Sequence, residues 1–166
     1  LTRQTDGASG EGRAFASLGE ALMAFDKKEL DIQAKIKIRL QNVFPGAGDK
    51  TPEGWTFGNP LILETTLGRA LFNEALPNNY PFVNYDVDKK RLGNLITDLT
   101  EKYPKIQVAQ TLDELKDIGF YWSTRSGVTI SIDDVVPPPE KDTLMKKAED
   151  LASKVQKNFE RGMVSD

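Results

Sequence analysis

The chain has 166 residues, 39% hydrophobic and 28% charged, with a net charge of −3. That balance suits one soluble domain, or a domain and a half, and is too even for nucleic-acid binding through bulk charge. Cysteine and histidine are both absent, which excludes disulfide frameworks, Ser-His-Asp and Cys-His catalysis, and zinc held by His or Cys.

Ser17 and Glu20 form an S-x-x-E capping box and predict a helix from Leu18 to about Lys28. The clearest strand follows. Ile32, Ala34, Ile36, Ile38 and Leu40 alternate with Gln33, Lys35, Lys37, Arg39 and Gln41, giving one apolar and one cationic face. A solvated face is the simpler reading of Lys35, Lys37 and Arg39; contact with phosphate or another subunit is the alternative. Phe44 to Pro60 is rich in Gly and Pro and reads as a long loop or mobile hairpin insertion with an exposed Trp55. Leu61, Ile62 and Leu63 read as a short buried strand.

Thr65 or Thr66 caps a helix that stops at Pro77. Asp86 or Asp88 caps another, through about Lys102, which Pro104 ends. Thr111 and Glu114 make a second capping box, and Leu112, Leu115, Ile118 and Trp122 continue on helical spacing. Phe120, Tyr121 and Trp122 extend that apolar face, which favours core packing over stacking on bases. A polar turn at Ser126-Gly127 leads into a β-branched alternation, Val128 to Ile132, closed by Asp133 and Asp134. Adjacent strand residues point to opposite faces, so this pair suits a turn cap better than a magnesium site.

Pro137, Pro138 and Pro139 launch a helix from Glu140 to Arg161, broken by Gly162. It would be roughly 33 Å long at 1.5 Å per residue. Leu144, Ala148, Leu151, Val155 and Phe159 form a narrow seam that calls for a partner helix. The chain opens at Leu1 rather than Met and closes on Ser165-Asp166, two N-cap residues with no helix after them. The expectation is a segment of a larger protein, lacking the return half of an antiparallel helical hairpin. No apolar run approaches the roughly 20 residues that span a bilayer.

Several stretches resemble the β′ (largest) subunit of bacterial RNA polymerase. They are GEGRAFAS at 10–17, AKIKIRL at 34–40, ETTLGRALFNEALP at 64–77 and YPFVN at 80–84. LKDIGFYWSTRSGVTISIDDVVPPPEK at 115–141 and KVQKNFERGMVSD at 154–166 complete the set. They cover nearly the whole chain; residues 43–60 depart from the pattern. The resemblance implies an α+β fold, mostly helical with a small β-sheet and a long C-terminal helix that is half of a truncated hairpin. It implies a pore domain over 1–136, with a flexible insertion at about 44–60, and a first rim or funnel helix and hairpin tip over 137–166.

That region lines the secondary channel of the polymerase, where nucleotides enter and backtracked RNA 3′ ends leave. Arg125 and Ser126 become channel-lining candidates. Arg125 would either steer nucleotide phosphates or satisfy a helix C-terminus. Lys157, Arg161, Met163 and Val164 become candidate contacts for Gre-type factors on the rim. The implied partners are the β, α, ω and σ subunits, DNA, RNA and nucleoside triphosphates, in the cytoplasm and with no membrane. The metal-binding Asp-x-Asp-x-Asp motif, bridge helix and trigger loop are not in the sequence, so no cofactor is expected here. Magnesium and zinc are expected elsewhere in the full subunit, and the piece alone should be inactive. Two other classes fit less of the sequence: a free-standing coiled-coil interaction module and a small carboxylate-based metal enzyme.

Overall fold

The computed structural model describes residues 1–163; Val164 and the expected cap pair Ser165-Asp166 lie outside them. The chain divides into two compact units, Leu1–Gly127 and Val128–Asp166. The first is an α+β unit built on a three-stranded sheet in the order β1-β2-β3.

Strand β2 (Lys35–Leu40) is the centre of the sheet. It runs antiparallel to β3 (Leu61–Thr66), with Ile36 opposite Thr65 and Ile38 opposite Leu63. The predicted alternation is realised: Ile36 and Ile38 are buried while Lys37 and Arg39 are exposed. Lys35 Nζ reaches Glu64 Oε2 at 3.3 Å across the strands. Strand β1 (Ala14–Phe15) pairs parallel to β2; two residues carry no readable period, and sequence reasoning missed it.

Helix α1 (Leu18–Asp26) is shorter than predicted. The Glu20 amide donates to Ser17 Oγ, and Glu20 Oε2 accepts from the Ala16 amide. Thr66 ends β3 and caps α2 (Leu67–Glu74), its hydroxyl accepting from the Arg69 amide. Asp88 caps α3 (Lys89–Lys102). Helix α4 then runs unbroken over Lys105–Ser126, which corrects the predicted start at Thr111. Pro104, fixed near helical φ, opens it; Thr111 is buried in mid-helix and caps nothing.

Two hydrophobic cores result. One gathers Phe15, Ala21, Ile36, Ile38, Leu63 and Leu67 between the sheet, α1 and α2. The other gathers Phe72, Val83, Leu95, Leu99 and Val108 among α2, α3 and α4. The 44–60 insertion folds on itself: Phe44 stacks on Phe57 at 4.2 Å, and the half-buried Trp55 donates from Nε1 to the Asn59 carbonyl. Trp55 is therefore less exposed than expected. The Phe82 amide donates to the Phe44 carbonyl and roots the insertion.

Two buried features hold the first unit together. Arg69 is 9% exposed and donates from Nε to the Thr2 carbonyl, from Nη1 to the Asn84 carbonyl and from Nη2 to Asp86 Oδ1. Beside it, a side chain at Gly68 would collide with the Leu1 carbonyl, so the N-terminal segment passes directly over α2.

The second unit lacks the expected strand. Among the described residues no strand forms over 128–132. Instead, Ser131 captures its own backbone: its hydroxyl accepts from the Asp133 amide, and the 310 turn Ile132–Asp134 forms. Helix α5 (Lys141–Glu160) follows.

Arg69→Leu leaves four oxygens, the Thr2 and Asn84 carbonyls, Asn84 Oδ1 and Asp86 Oδ1, without this donor and should lower unfolding free energy by about 3 kcal/mol. Thr65 Oγ1 is buried with no hydrogen-bond partner; Thr65→Val should raise stability by about 1 kcal/mol. Urea unfolding midpoints measure both, and an unchanged midpoint in either variant contradicts its prediction.

Candidate functional site

The residues singled out from sequence fall into both units, and each group is built by a helix end. In the first unit, α4 carries Arg125 in its last turn, not in a turn beyond it. Its guanidinium donates from Nη1 to Tyr121 Oη at 2.9 Å and from Nη2 to Asp26 Oδ1 at 3.2 Å. It also lies 5.5 Å from the Phe25 ring centre, 5.7 Å from Tyr121 and 5.5 Å from Trp122. Its hydrogen bonds to Tyr121 and then Asp26 push the Arg125 pKa further up. Ser126 Oγ donates to the Ser123 carbonyl, and Gly127 in the left-handed region closes the helix.

The aromatic run divides rather than packing as one block. Trp122 packs against the first core and meets Phe25 edge-on at 5.4 Å, while Phe120 and Tyr121 stay exposed. Successive helical residues are about 100° apart at 3.6 residues per turn, so three in a row spread over about 200° of the helix surface and cannot all face the core.

Asp133 and Asp134 act as a turn cap. Asp134 Oδ2 accepts from the Ser131 amide at 2.7 Å, completing a reciprocal capping box. Among the described residues no three His, Cys, Asp or Glu come together in a metal-binding cluster.

In the second unit, Lys157, Arg161 and Met163 come together at the C-terminal end of α5. The Arg161 amide donates to the Lys157 carbonyl, and these residues are one turn apart. Gly162, at φ 68°, donates to the Phe159 carbonyl, and the Met163 amide to the Asn158 carbonyl. This is a Schellman motif, whose left-handed residue favours glycine. It presents Met163 at 65% exposure beside two cations. The seam Leu144, Leu151, Val155 and Phe159 is likewise exposed. Val164 is outside the described residues.

Sequence reasoning missed a cleft of about 580 Å³ lined by Tyr80, Tyr85, Arg91, Asn94, Leu95 and Asp98. Arg91 stacks over Tyr85 at 5.5 Å and donates to the Asp86 carbonyl. Burial, followed by the hydrogen bond to Asp98, pushes the Tyr80 phenol up. The Asp98 carboxyl is held below its ordinary range, chiefly by its hydrogen bond from Lys102 and also by Tyr80. Only the Asp98–Lys102 spacing was a readable signal; the tyrosines arrive from a linker without periodicity.

Residues 1–135 match the family described as RNA polymerase Rpb1, domain 3. The whole chain is 56% identical to a protein of Thermobifida fusca, 55% to one of Acidothermus cellulolyticus and 54% to one of Kineococcus radiotolerans. Each of the three is named DNA-directed RNA polymerase subunit beta′. The chain spans about 13% of the length of these curated relatives.

The lowered Asp98 pKa carries a pH signature. Its stabilisation is complete above the unfolded value, about 3.9, and is lost as pH falls through the folded value. The difference in unfolding free energy between the native chain and Asp98→Asn should be flat from about pH 5 to 9 and shrink below about pH 4. Urea titrations across that range check it; a difference that persists undiminished to about pH 2 contradicts the pair.

Proposed function

Because the chain belongs to the RNA polymerase Rpb1 domain 3 family, we propose that it serves DNA-directed transcription as part of a β′ subunit, forming the wall of the secondary channel and the base of its rim. The observation that carries this reading is the agreement along the full chain with proteins named as β′ subunits. In this role the first unit, with Arg125 and Ser126 at the end of α4, borders the path of nucleotides and backtracked RNA. The end of α5, with Lys157, Arg161, Met163 and Val164, is the docking point for Gre-type factors. The boundary between pore domain and rim helix is placed at residues 136 and 137, within the exposed stretch ahead of α5.

Nucleotidyl transfer then belongs to the assembled enzyme, whose magnesium and zinc are held outside these residues. The 166 residues alone are inactive, and the protein works in the cytoplasm with β, α, ω and σ subunits, DNA, RNA and nucleoside triphosphates. Cations around Met163 would chiefly raise the rate of association with an acidic partner.

One observation favours a second reading. The exposed seam from Leu144 to Phe159 suits a free-standing coiled-coil module that pairs with another copy. An antibody raised to the chain separates the two. The polymerase reading expects a band far above 18.5 kDa that co-purifies with RNA polymerase activity. A lone band near 18.5 kDa, separate from that activity, overturns it in favour of the module.

Within the polymerase, Lys157→Glu with Arg161→Glu should weaken binding of a Gre-type factor roughly tenfold at low salt; unaltered affinity refutes the rim assignment. Arg125→Ala should raise the apparent nucleotide KM, and unchanged elongation kinetics sink the steering role.

A further inference from the structure

We propose that Arg125 is a salt-sensitive latch that fastens the C-terminal third of α4 to the end of α1, and that its release uncovers the aromatic pair Phe25 and Trp122. Helix α4 is anchored in two separate places. Its N-terminal half buries Val108 and Thr111, and Leu115 packs beside them on the second core. Its far end reaches the first core through Trp122. No residue between 112 and 121 is fully buried, so the two anchors are energetically distinct.

The far anchor is small and built around one cation. Phe25 and Asp26 end α1; Tyr121, Trp122 and Arg125 belong to α4. The guanidinium touches all four partners, through two hydrogen bonds and three ring faces. The Arg125 and Asp26 side chains are 42% and 59% exposed, so dissolved ions reach and screen their pairing. The ring contacts do not depend on a counter-charge and persist at higher salt. Gly119 lies between the anchors, where glycine weakens a helix relative to alanine. The last turns of α4 are therefore able to open while the core stays closed, as a local unfolding unit.

Hydrogen exchange on the full chain tests this, comparing the native sequence with Asp26→Asn, Arg125→Lys and Arg125→Ala. In low salt, amides at 119–126 should exchange roughly fivefold to tenfold faster in Arg125→Ala, with those at 36–38 and 105–111 unchanged. Asp26→Asn should give a smaller rise, about twofold to threefold. The native chain at about 1 M NaCl should match Asp26→Asn, because salt and substitution remove the same ion pair. Arg125→Lys should keep the salt response and lose part of the protection. In a Trp55→Phe background, Trp122 emission should shift to the red in step with exchange. Unchanged rates at 119–126 overturn the latch, as does faster exchange spread over the whole first unit. If Arg125→Ala does not fold, the salt comparison decides alone: an equal response to salt in the native chain and Asp26→Asn overturns it.

Discussion

The buried guanidinium of Arg69 is the constraint on which the first unit depends. Two segments far apart in sequence end on it: the N-terminus through Thr2, and the linker ahead of α3 through Asn84 and Asp86. Neither segment has regular structure, so neither brings a ladder of its own. Burying a permanent charge is tolerated only when its donors are matched, and that requirement fixes where each acceptor must lie. Asn73 and Asn84 extend the network. Asn73 bridges the Arg69 and Val83 carbonyls, while Asn84 donates to the Glu64 carbonyl and to Asp49. The two cores meet across α2, which carries Leu67 and Leu71 into one and Phe72 into the other.

The second unit is organised on different terms. Among its described residues none is buried, so α5 rests on its own hydrogen bonds and its Schellman closure. Most helical stability in proteins comes from packing an apolar face, and α5 presents such a face unoccupied.

Much of the fold could be read from the residues because local signals and burial agree. The alternation through Ile36 and Ile38 and the Leu95–Leu99 spacing each encode a single outcome, and the sequence narrowed each of two helix caps to a pair from which Thr66 and Asp88 emerge. Elsewhere the signal was short or non-local. Val128 to Ile132 has strand composition, but a strand is a relation between two segments, and Ser131 with Asp134 supplies a competing local turn. Thr111 and Glu114 have capping-box spacing, yet a four-residue pattern does not interrupt a helix already started at Pro104. For the candidate site, the charged residue at 125 was legible, but its partners Phe25 and Asp26 lie about a hundred positions away. Arg69 gave no hint of burial, since a cation on a helix normally points to water.

The rooted insertion between β2 and β3 bears on how this sequence can diverge. Its neck is fixed where Phe44 meets Pro81 and Phe82, and where Asp49 accepts from Asn84. Beyond the neck, contacts such as Trp55 with Asn59 are internal to the arm. Lengthening a loop whose ends are already held costs only about 0.6 kcal/mol for each doubling. Evolution can therefore insert or delete residues in the outer arm while the β2–β3 register stays in place. Length variation among homologues is expected to concentrate there, and substitutions at the neck to be scarce.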